Sequence, residues 1–245
     1  MIQTIYIIIL TYFLLGGIGF YFINRKKDPQ VARKSYIKFI TYFFIINTLF
    51  FSIIINTAIF RVLTVVIIAA GLLELLKLFQ KNGFQHKGFF VLSIAVFASL
   101  SFGFYFFSGF AQGLILFSFL VLSIFDSFSQ ITGQLWGRKK IAPNISPKKT
   151  YGGLIGGTLV ALASSFWLDP LYANNIGKSL LLAAGIIFFA FTGDLAASLY
   201  KRKYQQKDFS NLIPGHGGFL DRFDSLIAGG AWIAVCIYFL NFKLF

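Results

Sequence analysis

Residues 111–135 read Ala111-Gln112-Gly113-Leu114-Ile115-Leu116-Phe117-Ser118-Phe119-Leu120-Val121-Leu122-Ser123-Ile124-Phe125-Asp126-Ser127-Phe128-Ser129-Gln130-Ile131-Thr132-Gly133-Gln134-Leu135, and this run sets the fold class. A helix needs about 20 mainly apolar residues to cross the hydrocarbon of a bilayer, and the run supplies them. It holds a single carboxylate, Asp126. A carboxylate inside a spanning helix is costly and by default marks a functional site. Ser123, Ser127, Gln130, Gly133 and Gln134 fall at helical spacing around it, so one face carries a polar stripe. That face must look into a bundle or a wet cavity. The bland alternative is a buried Asp–Lys or Asp–Ser pair that holds helices together.

Seven further apolar runs flank this one, at 3–23, 39–59, 62–79, 89–107, 151–168, 179–199 and 225–241. Lipid offers no partners to exposed backbone groups, so such runs must be helices. The expected fold is all-α, a polytopic transmembrane bundle of about eight spanning helices. Only Arg61 marks the boundary between the second and third runs. Composition agrees. Of 245 residues, 57% are apolar, 19% aromatic and 12% charged, against about 25% charged in soluble domains. The lone Cys236 excludes an internal disulfide and sits in an apolar run as an inert residue. Met1-Ile2-Gln3-Thr4 has no basic n-region, so the first run is expected to stay as a helix rather than be cleaved.

A net charge of +14 could suggest nucleic acid, but the basic residues alternate between loops. Arg25, Lys26, Lys27, Arg33, Lys34 and Lys38 occupy 24–38. Lys77, Lys81 and Lys87 lie at or near 80–88. Arg138, Lys139, Lys140, Lys148 and Lys149 occupy 136–150, and Lys201, Arg202, Lys203, Lys207 and Arg222 occupy 200–224. These are 19 of the 22 Lys and Arg residues, and the opposite side keeps only Arg61, Lys178 and Lys243. The positive-inside rule places the four basic loops in the cytoplasm and both termini outside. No nucleic-acid partner is called for. Short loops without a soluble domain point to a bacterial inner membrane.

There are eight acids: Asp28, Glu74, Asp126, Asp169, Asp194, Asp208, Asp221 and Asp224. Glu74 precedes Lys77 by three residues near the cytoplasmic surface, and a helix-end ion pair accounts for it, so it is left out of the site. Asp194 lies seven residues before Lys201, roughly 10 Å along a helix, with Ser198 and Lys201 on its face. Asp126 and Asp194 therefore share the cytoplasmic half of the membrane.

The segment 198–224 carries more chemistry. Pro214-Gly215-His216-Gly217-Gly218 is a Cβ-poor turn whose backbone can approach a phosphate. Asp221 and Asp224 lie three apart, on one face if helical, and with Asp194 they offer the hard oxygen ligands that Mg²⁺ prefers. Lys201, Arg202, Lys207 and Arg222 surround them. Acids, bases and a glycine turn together equip a magnesium–nucleotide site. A second element, Ser146-Pro147-Lys148-Lys149-Thr150, precedes Tyr151-Gly152-Gly153. Pro147 suits a helix start, and hydroxyls plus lysines at a helix N-terminus suit an anion. The bland alternative is a capped helix with orienting charges. Gly153, Gly156 and Gly157 suit close helix packing.

These residues resemble the signature of the CDP-diacylglycerol synthase, or phosphatidate cytidylyltransferase, family. That signature runs Ser-x-x-Lys-Arg, then Lys-Asp, then Pro-x-His-Gly-Gly-x-x-Asp-Arg-x-Asp. Ser198, Lys201, Arg202, Lys207, Asp208, Pro214, His216, Gly217, Gly218, Asp221, Arg222 and Asp224 fill every fixed position. Gly193-Asp194, Asp126-Ser127-Phe128, Gly137-Arg138-Lys139-Lys140 and the Ser-Pro-Lys-Lys-Thr run also fit. The resemblance covers roughly 120–240. It implies an N-terminal helical region, 1–110, and a catalytic region, 111–245, with cytoplasmic loops 136–150 and 200–224. It further implies transfer of CMP from CTP to phosphatidate, giving CDP-diacylglycerol and pyrophosphate, and two Mg²⁺ ions held by Asp194 and Asp221, with Asp224 and Asp126 as further ligands. Asp194, Asp221, Lys201, Arg222 and His216 would be catalytic. Ser146, Lys148, Lys149, Thr150, Ser198, Arg202, Lys207, Asp208, Gly217 and Gly218 would bind substrate. His216 would contact a phosphate or orient a ligand, its alternative being a hydrogen bond within the turn. CTP, phosphatidate and membrane lipid are the implied partners, and a homodimer the implied assembly.

The sequence departs from the family at Tyr200, usually aliphatic, and at Tyr151-Gly152-Gly153, where Trp-Glu-Gly is usual. The second departure motivates an alternative acceptor, such as an isoprenoid-ether lipid phosphate. Another class of function, an ion-coupled transporter, would use Asp126 and Asp194 as ion ligands. The clustered phosphate-type residues and the lack of repeat-related halves oppose it.

Overall fold

A bilayer fixes helix length, and the observed helices follow it. The computed structural model describes residues 1–25, 28–172 and 175–239. Lys26, Lys27, Lys243 and the last two residues of the 225–241 run lie outside these. The described chain forms α1 (Ile2–Asn24), α2 (Pro29–Ile55), α3 (Thr57–Lys81), α4 (Lys87–Phe107) and α5 (Gln112–Trp136). A hairpin of β1 (Lys140–Ala142) and β2 (Ser146–Thr150) follows, then α6 (Tyr151–Leu168), α7 (Ile176–Lys203) and α8 (Leu220–Phe239). Helices α1 to α7 are each long and apolar enough to cross a membrane, and the chain is an integral membrane protein. Helix α8 is apolar from Ser225 onward but opens with Asp221, Arg222 and Asp224.

Three boundaries depart from the sequence expectation, each for a local reason. Helix α2 starts at Pro29, inside the expected loop 24–38. The Asp28 carboxylate caps it by accepting from the Gln30 amide at 2.8 Å and the Val31 amide at 3.4 Å, and proline suits a first helical position. Arg33, Lys34 and Lys38 thus ride on the helix. The break between α2 and α3 falls at Asn56, not Arg61. Asn56 is extended, and its side chain accepts from the Ala58 amide at 2.8 Å. Ser146–Thr150 is a strand rather than a helix start, with Pro147 inside it. The Thr150 hydroxyl then caps α6, accepting from the Gly153 amide at 3.1 Å.

Helix α5 is the centre of the bundle: Leu114 to Val121 are almost wholly buried. It lies along α6, where a Cβ at Gly156 would stand 2.5 Å from the Thr132 hydroxyl, so small residues bring the two backbones together. Helix α8 packs against α4 and α7. Helix α1 leans on α2 and turns Ile7, Tyr12, Leu14 and Leu15 outward, as a lipid-facing surface does. Trp136 ends α5 and Trp167 ends the antiparallel α6, exposed by 69% and 88%. Tryptophans at opposite ends mark the two membrane interfaces.

Candidate active site

The glycine turn sits between α7 and α8 and needs glycine twice. Gly215 and Gly217 have φ of +75° and +85°, where other residues are strained. The Ile213 amide donates to the Gly217 carbonyl at 2.8 Å, and the His216 amide donates to the Ile213 carbonyl at 2.9 Å. A Cβ on Gly218 would collide with the Glu74 carboxylate.

That carboxylate is the main residue the sequence reading missed. Glu74 was expected to pair with Lys77 at the surface. Instead it is 1% exposed and reaches across the bundle. Its oxygens accept from the Ser210 hydroxyl at 2.6 Å, the Phe219 amide at 2.9 Å and the Leu220 amide at 2.8 Å. The first amides of a helix have no partner within the helix and carry partial positive charge. Glu74 therefore serves as the cap of α8, delivered from α3. Its flanks, Leu72-Leu73 and Leu75-Leu76, were the available signal: the rule that singled out Asp126 applies equally to Glu74.

Asp221 completes the cap from within. Its Oδ2 accepts from the Gly218 and Phe209 amides, both at 2.8 Å, and its Oδ1 meets Lys201 Nζ at 2.5 Å. Lys201 is buried, with Phe209 stacked 5.1 Å beneath its ammonium. Both oxygens of Asp221 are thus engaged in holding loop 204–219 to α7.

Asp224 follows Asp221 by one helical turn along α8. Asp126 on α5, Asp194 on α7 and Asp224 on α8 share one region, Asp194 lying within Coulombic reach of the other two. Lys149 pairs with Asp194 at 2.7 Å, and the Ser198 hydroxyl donates to the other oxygen of Asp194 at 3.3 Å. Lys149 also rests 4.3 Å over the Phe191 ring. Asp126 feels the positive charges of Lys149 and Arg222. It is accessible, although helices enclose it. Burial and then the positive charges of Arg222 and Lys38 push His216 below the ordinary imidazole range, against a long contact of Nδ1 with the Pro214 carbonyl at 3.5 Å. That contact lies within the turn, and the ring also stacks on Tyr42 with centroids 6.2 Å apart. Tyr42 and Lys38, both from α2, were not anticipated.

Some expected ligand-binding groups have other work. Arg202 donates to the Ile145 and Gln206 carbonyls at 3.1 and 3.0 Å, tying the β-hairpin to the 204–219 loop. The Thr150 hydroxyl is a helix cap. Ser146 lies in β2, and Lys148, Lys207 and Asp208 are exposed, the Asp208 Cβ lying beside Gly217. Gly217 faces Asp221, since a Cβ there would stand 2.7 Å from Asp221 Oδ2. At Gly152 a Cβ would stand 2.9 Å from the Trp136 carbonyl oxygen, so a larger residue would have to shift the α5–α6 turn.

A hard divalent cation prefers carboxylate oxygen, and Asp126, Asp194 and Asp224 supply that chemistry on three helices. Among the described residues no three carboxylate, imidazole or thiol groups stand close enough to enclose an ion. By donor chemistry the three fit; Asp221 fits only if Lys201 and the two amides release it.

Comparison with known proteins adds the family. Residues 89–240 match the cytidylyltransferase family. The chain is 39% identical over 136 residues to the phosphatidate cytidylyltransferase of Rickettsia bellii, covering 52% of this chain and 57% of that one. It is 36% identical over 133 residues to that of Haemophilus influenzae, covering 52% and 46%. To that of Staphylococcus saprophyticus it is 39% identical over 153 residues, covering 60% and 58%. The matched stretch spans about half the length of these relatives. It contains α4 to α8, the glycine turn and all four site aspartates, and on that match the chain belongs to the cytidylyltransferase family.

Proposed function

We propose that the chain transfers the cytidylyl group of CTP to phosphatidate, forming CDP-diacylglycerol and pyrophosphate. The observation that carries this is the Lys149–Asp194 and Lys201–Asp221 pairs beside a clamped glycine turn, with Asp126 and Asp224 within electrostatic reach of Asp194. Relatives named for the same reaction support it. A phosphatidate oxygen attacks the α-phosphorus; the new P–O bond forms as the bond to the bridging oxygen breaks, and pyrophosphate leaves with the electron pair. A phosphate monoester has a second pKa of about 6, so the nucleophile is already anionic near pH 7 and needs no general base. The chain's part is positioning and charge stabilisation. Lys149 and Lys201, held now by Asp194 and Asp221, present ammonium groups to the nucleotide phosphates. Mg²⁺ held by Asp194 and Asp224, with Asp126 beside them, would neutralise phosphate charge. Asp221 would keep the loop in place.

The active site faces the cytoplasm of a bacterial inner membrane, with both termini outside and two chains in the assembly. The alternating basic loops support the orientation. The Gly152 departure leaves an isoprenoid-ether lipid phosphate as the second acceptor to try. The test is pyrophosphate release by detergent-purified protein given CTP, phosphatidate and Mg²⁺, with Asp194→Asn alongside. Release that needs all three and disappears in the variant is expected. Release without a lipid phosphate, or an unaffected variant, would overturn the proposal.

A further inference from the structure

Two sets of basic groups flank the carboxylates, and only one set is paired. Lys149 and Lys201 have acids at 2.7 and 2.5 Å. Lys38, His216 and Arg222 do not. Among the described residues none of these three side chains makes an ion pair, and neither Lys38 nor Arg222 makes a side-chain hydrogen bond. They are nonetheless gathered. The stem of Lys38 lies so close to the turn that a Cβ on Gly215 would stand 2.7 Å from Lys38 Cγ. Tyr42, one turn further along α2, stacks on His216 with the ring planes 18° apart. The Tyr42 hydroxyl faces Ser127 of α5, and Arg222 lies within Coulombic reach of both Tyr42 and His216.

Lys38 and Arg222, the two cations beside the His216 imidazole, have no bonded acid, and an anion between them relieves their repulsion. A phosphate monoester, with nearly two charges and three acceptor oxygens, is a strong complement. Two such ligands, the acceptor's phosphate and the triphosphate tail of CTP, carry this chemistry. Placement separates them. Lys149 belongs to the β-hairpin, outside the apolar spans, whereas Lys38 and Tyr42 belong to a helix that crosses the membrane. Beside them Ile37, Ile40 and Phe44 are exposed, as on a lipid-facing flank. A soluble nucleotide meets the hairpin side; a headgroup tethered in the bilayer meets the α2 side. Asp126 feels the charges of both Lys149 and Arg222.

We propose that Lys38, Tyr42, His216 and Arg222 form the subsite for the phosphate monoester of the acceptor lipid, separate from the nucleotide phosphates at Lys149 and Lys201. The subsite rests on the cytidylyl-transfer reading and adds to it a role for α2, which lies outside the family match. Steady-state kinetics in mixed micelles, varying CTP and phosphatidate independently, test it. Lys38→Ala and Tyr42→Ala should each raise KM for phosphatidate by about tenfold, the loss of one charge-assisted contact, with KM for CTP within about twofold. Lys38→Arg should restore most of the loss. A rise confined to CTP, or no rise for either substrate, overturns the subsite.

The second arm needs no turnover. Short-chain phosphatidate, and not the matching diacylglycerol, should raise the melting temperature of the wild type, and Lys38→Ala should lose that shift. If the wild type releases no pyrophosphate yet shows the Lys38-dependent shift, the reaction assignment fails and the subsite stands. Equal shifts in wild type and Lys38→Ala overturn the subsite alone.

Discussion

Replacing Glu74 with alanine removes a carboxylate that three donors share. Ser210 Oγ, Phe219 N and Leu220 N all point at it from 2.6 to 2.9 Å, and at 1% exposure no water is available to take over. A buried hydrogen bond to a charged group contributes about 1.5–3 kcal/mol, and a stranded donor costs about 1–3 kcal/mol. The three bonds act on one short loop and are not additive, so about 3 kcal/mol is the working figure for local opening. An exposed ion pair with Lys77 would be worth about 0.3–0.5 kcal/mol, and the two accounts differ several-fold. Hydrogen–deuterium exchange separates them, because it reads local opening amide by amide. The Phe219 and Leu220 amides should exchange about a hundredfold faster in Glu74→Ala, while amides in the middle of α5 stay unchanged. Cytidylyl transfer should fall with them, since Asp221, Arg222 and Asp224 all follow within four residues of Leu220. Glu74→Gln, which keeps one acceptor oxygen, should fall between. Unchanged exchange at Phe219 and Leu220 would refute the capping role.

The Lys201–Asp221 pair is nearly closed to solvent, with side chains 10% and 3% exposed, so Asp221→Ala should destabilise by about 3–5 kcal/mol by stranding a buried ammonium. Adding Lys201→Met should recover part of that in denaturant melts, and a double variant no more stable than the single would contradict it. His216 gives a pH dependence with a definite sign. Its pKa is lowered in the fold, chiefly by burial and then by Arg222 and Lys38, so the unfolded chain takes up the proton first. Its contribution is therefore constant above the ordinary imidazole value of 6.5 and declines as the pH falls below it. The stability lost between pH 7.5 and pH 5.5 should be smaller in His216→Gln than in wild type, and an equal loss would contradict this assignment.

The helices were legible because a bilayer leaves few choices: a run of about 20 apolar residues can only be a helix in lipid. The Asp126 stripe and the Asp221–Asp224 spacing were legible for the same reason, since helical periodicity fixes which residues share a face. The break at Asn56 was not, because the chain is apolar on both sides and the cap is a single polar side chain. Arg61, the one charge nearby, drew attention but lies inside α3, 5.8 Å over the Tyr105 ring. Glu74 was misassigned because its local neighbour Lys77 offered an answer three residues away, whereas its partners lie 136 to 146 residues on. Lys38 and Tyr42 were missed similarly: Lys38 read as one orienting charge, Tyr42 as part of an apolar run, and only packing brings them to the turn. Thr150 and Arg202 show what sequence does not give, the structural tasks of capping a helix and joining two loops.

The Glu74 clamp also bears on how the gene can be cut. The family match starts at residue 89, after α3 has ended. A fragment expressed from that point would hold every site aspartate and the whole glycine turn, and would look self-sufficient on a sequence map. It would lack the acid that seats the first amides of α8, and its turn would open to water. Supplying 1–88 as a separate polypeptide in the same membrane should restore the seat, because Glu74 acts through space and not along the chain.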